Sequence, residues 1–440
     1  MKPNPFEFTS TILFVLAVLH TFLTPTFFEF YKKLSIKAEE GRPNWKKYHF
    51  LSELMNLFSE IEVVFGMWLI PLIIAFGLMM GWTKAFVYFS SFDYTDPLYI
   101  MVIFVVVGSR PIFYFAEKIL EWVARLGGDR PGAWWWTILT IGPLLGALLK
   151  EPGAMALSSL LLVNKFYLYR PSRQFAYATL GLLFVNVSVG GMLTPFSSRA
   201  LFVVAKEWGW GTGKMFAIFG WKAVLGVLIS NLVYYLIFRQ EFKRKYPPRL
   251  GAHQSQKTVP PPWLILVHLL FLAIIALTGE YAPIFIGIFI LFLGLCKATS
   301  FYQTNLHLKS SLLVGFFFAS LLIFGDLQSW WVKYLLDIQG LINLMGRSAL
   351  LSAFVDNATV IYISTRISLN GQAIHYAIVA GAMAAGGLTI VANAPNLIGY
   401  TILRSSFYGK ISFLRLFLGA LIPTTIMLFT FWLFVYTQTT

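Results

Sequence analysis

Two polar pairs stand inside long apolar runs. In "LLSAFVDNATVIYIS" (350–364) the pair is Asp356 and Asn357; in "LLGALLKEPGAMALSS" (144–159) it is Lys150 and Glu151. Asp356 brings a negative charge and hard oxygens, Asn357 an amide oxygen and Thr359 a hydroxyl. An all-oxygen set with one formal negative charge suits a small monovalent cation such as Na⁺, and it lacks the further carboxylates that a Ca²⁺ site usually uses. The same carboxylate can hold a proton instead, because removal from water disfavours its charged form. A group that takes either ion but not both gives exchange by competition. Asp356 could also cap the helix that follows it, and the two roles are compatible.

The first pair differs. Lys150 is a cation where its counterpart is Asp356, and Pro152 both stops an incoming helix and fits the first turn of the next. A buried lysine needs a partner, and Glu151 and Asp356 are the candidates. On this reading the Lys150 ammonium stands where a second cation would bind; the alternative is a plain structural ion pair.

The elements that must carry these residues are dictated by the solvent. The chain has 440 residues, 58% hydrophobic and 12% charged, with a mean hydropathy of +0.71. Soluble domains carry roughly a quarter charged residues, so this is a multi-span membrane protein. Apolar stretches of about 20 residues, each enough to cross a hydrocarbon core about 30 Å thick, recur along it. The N-terminal "MKPNPFEFTS" lacks a basic region and no small-residue cleavage site follows, so 10–30 is expected to be a retained span. The lone Cys296 excludes an internal disulfide framework and a cysteine metal cluster.

The net charge of +15 is concentrated in a few loops, with Lys32, Lys33, Lys37, Arg42, Lys46 and Lys47 in one and Arg239, Lys243, Arg244, Lys245 and Arg249 in another. That is the pattern of cytoplasmic loops beside anionic membrane lipid. It does not support nucleic-acid binding.

Spans are expected at about 10–30, 62–81, 98–116, 175–197 and 214–238, then at 262–278, 282–297, 310–327, 372–398 and 411–436. Residues 239–261 form a basic cytoplasmic linker between them. Two further segments, 134–168 and 340–366, are too long and too interrupted for one crossing, and each reads as a re-entrant hairpin with its polar pair at the tip. With the 31–49 loop in the cytoplasm and the N-terminus outside, the basic loops fall inside and the 82–97 loop, with Asp93 and Asp96, falls outside. An odd number of spans in each half inverts the second half. The halves also share sequence: "LLGALL" matches "LLSAFV", and "NVSVGGMLTPFSSRA" (186–200) parallels "AMAAGGLTIVANAPN" (382–396). The expected fold is therefore all-α and polytopic, with inverted repeats over 1–238 and 262–440, each of about five transmembrane helices plus a hairpin, and helices unwound at the midplane after Gly190–Gly191 and Gly386–Gly387. Interrupted helices at matching positions are a sequence pointer to a transport site. Thr389 and Asn393 would add oxygens there.

Other polar residues weigh less. Glu60, Glu62 and Asp326 read as interfacial, Lys222 as snorkelling, and Arg199 as an interfacial anchor or a neutraliser of Glu151. His20 and His268 read as hydrogen-bonded packing residues, and "WGWGTGK" (208–214) as a turn. No catalytic constellation stands out, and neither an enzyme nor a cofactor is expected.

"FVDNATV", "GGLTIVANAPNLIGY" and "LLVGFFFASLLIFGDLQSWWV" resemble the ion transporter superfamily, which holds arsenite permeases, NhaD-type antiporters and divalent-anion/sodium symporters. Within it the chain is most similar to a bacterial branch of Na⁺/H⁺ antiporters. The resemblance implies two inverted repeats with re-entrant hairpins, a homodimer and a bacterial inner-membrane location. By position it implies one cation/proton site from Asp356, Asn357, Thr359, Gly386, Thr389 and Asn393, with Na⁺ on Asp356 and Asn357. The partner site in the first repeat would be Glu151, Gly153, Gly190 and Thr194, beside Lys150. Sodium-coupled carboxylate carriers of that group use Ser-Asn-Thr at both tips, whereas this chain has Lys-Glu-Pro-Gly and Asp-Asn-Ala-Thr. The expected activity is exchange of Na⁺ for protons by alternating access. An anion carrier, for arsenite or a sodium-coupled carboxylate, is the alternative, and a channel or scaffold stands behind both.

Overall fold

The computed structural model describes residues 4–39, 44–128, 130–195, 197–198, 201, 204–205, 207–243, 259–303, 305–336, 340–365, 371–407 and 410–435. Arg199, the side chain of Glu62 and most of the expected 239–261 linker lie outside the described residues. Among the described residues every regular element is a helix. The first half runs α1 (Pro5–Glu39), α2 (Trp45–Ser59), α3 (Ile61–Met80), α4 (Trp82–Ser90), α5 (Thr95–Val107), α6 (Arg110–Leu126), α7 (Pro131–Leu144), α8 (Gly146–Lys165), α9 (Arg173–Gly190) and α10 (Thr212–Ile237). The second half runs α11 (Pro262–Leu277), α12 (Ala282–Ala298), α13 (Leu308–Asp326), α14 (Ser329–Leu336), α15 (Leu341–Ser352), α16 (Asn357–Thr365), α17 (Gln372–Ala385), α18 (Pro395–Leu403) and α19 (Phe413–Trp432).

Six helices are long and apolar enough to cross a membrane among the described residues, and up to eight spans result if each bent pair counts as one. The protein is a multi-pass integral membrane protein. Helices α11, α12 and α17 are apolar but shorter. The expected single segment 98–116 is divided between α5 and α6, because Ser109 is extended and Pro111 starts a new helix. The apolar window ran across the "GSRP" turn signal.

Burial separates an inner and an outer set. Helix α9 is buried from Phe175 to Gly190, and α17 from Tyr376 to Ala385. The run from Tyr99 to Val107 on α5 is buried except for Met101. These all-round apolar helices form the core. The outer helices keep large apolar side chains exposed, among them Leu78 on α3, Leu266 on α11 and Leu291 on α12. In hydrocarbon such faces carry no penalty, so burial cannot drive the outer helices together; close packing must. Small residues supply it. A Cβ on Gly419 of α19 would meet the Tyr177 carbonyl on α9, and one on Gly381 of α17 would meet the Met345 carbonyl on α15.

That packing predicts a contrast. Gly419→Leu forces α19 from α9 and should cost about 1–3 kcal/mol, as overpacking does, read as a lower melting temperature in detergent. Gly287→Leu on α12, where no atom of the described residues lies within 4 Å of a new Cβ, should leave the melt unchanged.

Candidate functional site

Each polar pair sits where a helix breaks. Helix α8 is helical except at Lys150, whose backbone has φ 59° and ψ 161°, a region that glycine alone occupies comfortably. In the second half α15 ends at Ser352 and α16 begins at Asn357, so Asp356 lies in the gap. Opposite each break is a second interruption. Helix α9 passes into a short 3₁₀ turn, Gly191–Leu193, and Thr194 is extended. Helix α17 ends at Ala385 and helix resumes only at Pro395.

The two halves hold their breaks with the same bonds. Thr194 Oγ1 donates to the Ala147 carbonyl at 3.0 Å, and Thr389 Oγ1 donates to the Ala353 carbonyl at 2.7 Å. Ala147 precedes Lys150 by the interval at which Ala353 precedes Asp356. The Glu151 N–H donates to the Ser197 carbonyl at 3.0 Å, and the Asn357 N–H to the Ala392 carbonyl at 2.9 Å. Asn396 Nδ2 donates to the Gly386 and Thr389 carbonyls at 2.7 and 2.8 Å, satisfying groups freed by unwinding.

Two carboxylates meet in the space between. Asp356 is 2% exposed and Glu151 1%. Asp356 Oδ2 accepts from the Ala358 N–H at 3.0 Å and Oδ1 from the Ala394 N–H at 3.2 Å. Glu151 Oε2 accepts from Asn393 Nδ2 at 2.8 Å, while its Oε1 has no hydrogen-bond partner among the described residues. Glu151, Asp356, Asn357, Asn393 and Ser197 line a chamber of about 50 Å³, room for a cation or a water or two. All of the donors named here to the two carboxylates are neutral. Among the described residues no group of three or more His, Cys, Asp and Glu side chains is placed to hold a metal ion.

The sequence placed the candidates in two sets, and the chamber draws on both: Asn393 of the second half holds Glu151 of the first. Thr194 and Thr389 tie the breaks. Gly386 lets α17 approach Asn357, whose Nδ2 would lie 2.9 Å from a new Cβ, and Gly190 lets α9 approach the Pro143 carbonyl. Gly153 faces Ile103 and Val107 of α5 and serves packing. Thr359 lines a larger neighbouring cavity, together with Asp93, Asp96 and Asp326.

Two expectations need correction. The partner of Lys150 is neither Glu151 nor Asp356. Its Nζ pairs with Glu280 Oε1 at 2.8 Å and lies 4.5 Å over the Tyr99 ring, since the break carries the side chain toward the turn between α11 and α12. Lys222 does not snorkel: it is 1% exposed, with its Nζ 4.5 Å from the Tyr376 ring centre, where aromatic faces hold the ammonium. The packing roles expected for the histidines agree with the structure. His20 Nδ1 accepts from Trp68 Nε1 at 3.1 Å, and His268 Nδ1 bonds the Leu264 carbonyl at 2.8 Å. Sequence reading gave Asp96 only a place in the 82–97 loop, and passed over Glu280 and Ser197. Asp96 did carry a signal, as a charge in the first turn of a helix that is otherwise apolar.

Two predictions follow from the breaks. Lys150→Gly and Lys150→Ala both lose the Glu280 pair, but glycine tolerates the backbone; the glycine variant should be the more stable by about 1 kcal/mol, and equal melts would contradict strain at the tip. Thr389→Val orphans the buried Ala353 carbonyl, costing about 1–3 kcal/mol, and Thr194→Val removes the donor of a part-buried bond to Ala147 and should cost less; both should lower the melting temperature in detergent, and an unaltered melt in either would discount that tie.

The chain matches the family model described as "Putative Na+/H+ antiporter" over residues 5–434. No curated protein matches it. With nearly its whole length covered by that match, and two buried carboxylates at the meeting of its broken helices, the chain belongs to this Na⁺/H⁺ antiporter family.

Proposed function

We propose that the protein exchanges Na⁺ for protons by competition at Asp356, with Glu151 sharing the same chamber. The observation that carries the reading is the burial of both carboxylates around one small space in which the donors to them are neutral. A buried carboxylate must be neutralised by a proton or a cation. Asn357 and Ser197 supply neutral oxygen for a bound ion. Lys150, turned to Glu280, is not placed between the carboxylates, so we assign it to bracing the tip in place of the surrogate-cation role. The same charges oppose an anion, which weighs against arsenite or carboxylate transport.

The matched threonine and amide bonds support two inverted repeats, 1–238 and 262–440, joined by the 239–261 linker. In this reading 134–168 and 340–366 enter and leave the membrane on one side, and the protein works by alternating access. We place the chain in the ion transporter superfamily, as a homodimer in a bacterial inner membrane, with the N-terminus outside and the linker in the cytoplasm.

Proteoliposomes with a trapped pH dye and an imposed pH gradient test the exchange. Added Na⁺ should drive proton movement in the wild type, with Li⁺ and K⁺ as comparisons, and Asp356→Asn should abolish it. Folded wild-type protein that moves no protons in response to any of the three cations would overturn the reading.

A further inference from the structure

One buried charge has no counterpart. Lys222 lies well inside α10, a helix long and apolar enough to cross a membrane, and is 1% exposed. Among the described residues its Nζ has neither a hydrogen-bond acceptor nor a carboxylate partner. Three rings surround it instead, with Nζ 4.5 Å from the centre of Tyr376, 5.4 Å from Phe434 and 5.7 Å from Trp221. Ring faces attract an ammonium, but they offer no lone pair to its three N–H groups. An ionisable side chain at such a depth is a functional candidate by default.

The rings themselves are fixed. Residues 216–220 of α10 form a π-helical turn, closed by the Trp221 N–H on the Phe216 carbonyl, and such turns are frequent at functional sites. Trp221 Nε1 donates to the Ala217 carbonyl of that turn at 3.0 Å. The Tyr376 hydroxyl donates to the Phe431 carbonyl at 2.9 Å, and its ring stacks on Phe219 at 5.0 Å. Phe434 meets Trp221 edge-on at 4.8 Å. Lys222 and Trp221 belong to the first half, Tyr376 and Phe434 to the second, so the cage joins the halves. It also reaches both interruptions. The π-turn packs against Gly191–Leu193, just before Thr194, and Tyr376 stands on α17, which ends at the second break.

We propose that Lys222 is a positioning residue of the exchanger: its unsatisfied ammonium destabilises the packing of α10 against α17 and the end of α19, and so favours the parting of these helices during exchange. The inference rests on the exchange reading. An isolated buried charge is expensive, and apolar side chains of similar size in place of buried ionic groups are often stabilising. Lys222 therefore weakens a contact between the halves that an apolar residue would tighten, a loss of stability where activity needs movement. It is not among the residues lining the chamber, so it acts on the helices and not on the ion.

The test pairs stability with transport. Lys222→Met keeps nearly the length of the side chain and removes its charge, and the shorter Lys222→Leu guards against a poor fit. At least one of them should melt above wild type in detergent. In proteoliposomes that variant should lose about five- to tenfold in maximal Na⁺-driven proton movement, because the conformation it stabilises is left more slowly. Its half-saturating Na⁺ concentration should match that of wild type. Lys222→Arg, which keeps the charge, should gain nothing in melting temperature. The proposal is overturned if neither apolar variant melts above wild type, if Lys222→Arg gains as much as Lys222→Met, or if the more stable variant exchanges at the wild-type rate. Should folded wild type move no protons, the exchange reading falls, while the melts still decide whether the Lys222 charge opposes this packing.

Discussion

The structure depends on keeping two carboxylates out of water. An isolated charge in a medium of low dielectric is held only by partners that replace its hydration. Here one partner of each comes from a single short unwound stretch: the Asn393 side chain reaches Glu151, and the next residue's N–H reaches Asp356, which also accepts from the Ala358 N–H of α16. A continuous helix could not supply them, because its N–H groups are spent on its own carbonyls. The break after Ala385 is thus what the two carboxylates require, and the Gly386–Gly387 pair is what lets that break lie so close to α9, where a Cβ on Gly387 would meet the Val185 backbone.

Unwinding frees carbonyls as well as N–H groups, and in a membrane these must also be satisfied. The side chains that do so are short and polar: Thr194, Thr389 and Asn396. Each bonds a carbonyl beside the facing helix break or in the interruption itself, so the groups that repair one interruption also fix its distance from the other. Lys150 adds a tension of its own. Its backbone adopts a conformation costing roughly 1–3 kcal/mol for a side-chain residue, and the Glu280 ion pair and the Tyr99 ring hold the far end of its side chain.

Much of this was legible in the sequence, for physical reasons. Polar pairs in apolar runs carry their cost on their face, so Asp356, Asn357, Lys150 and Glu151 could be named at once. The paired glycines, with Thr and Asn after them, marked both interruptions. What sequence could not give was direction. Lys150 and Glu280 lie 130 positions apart, and nothing in either segment states that one faces the other. The same holds for Glu151 and Asn393, 242 positions apart, which the sequence had assigned to separate sites. Helix ends were misjudged where the apolar window outweighed a turn, as at Ser109. Lys222 was misread because snorkelling assumes a path to water, and three rings close that path.

The arrangement also constrains how the halves can move. Glu151 belongs to the first half and Asp356 to the second, yet adjacent residues of one segment hold both. A displacement of 393–394 by an ångström or two lengthens both bonds together, since hydrogen bonds weaken steeply beyond their narrow range. The bond from Asn393 to Glu151 and the bond from Ala394 to Asp356 therefore change together, although the two carboxylates belong to different halves of the chain. A cation in the chamber would compete with Asn393 for the oxygens of Glu151, and through the shared segment that competition reaches Asp356. Such coupling would need no long relay across the protein, because two neighbouring residues bond the two carboxylates.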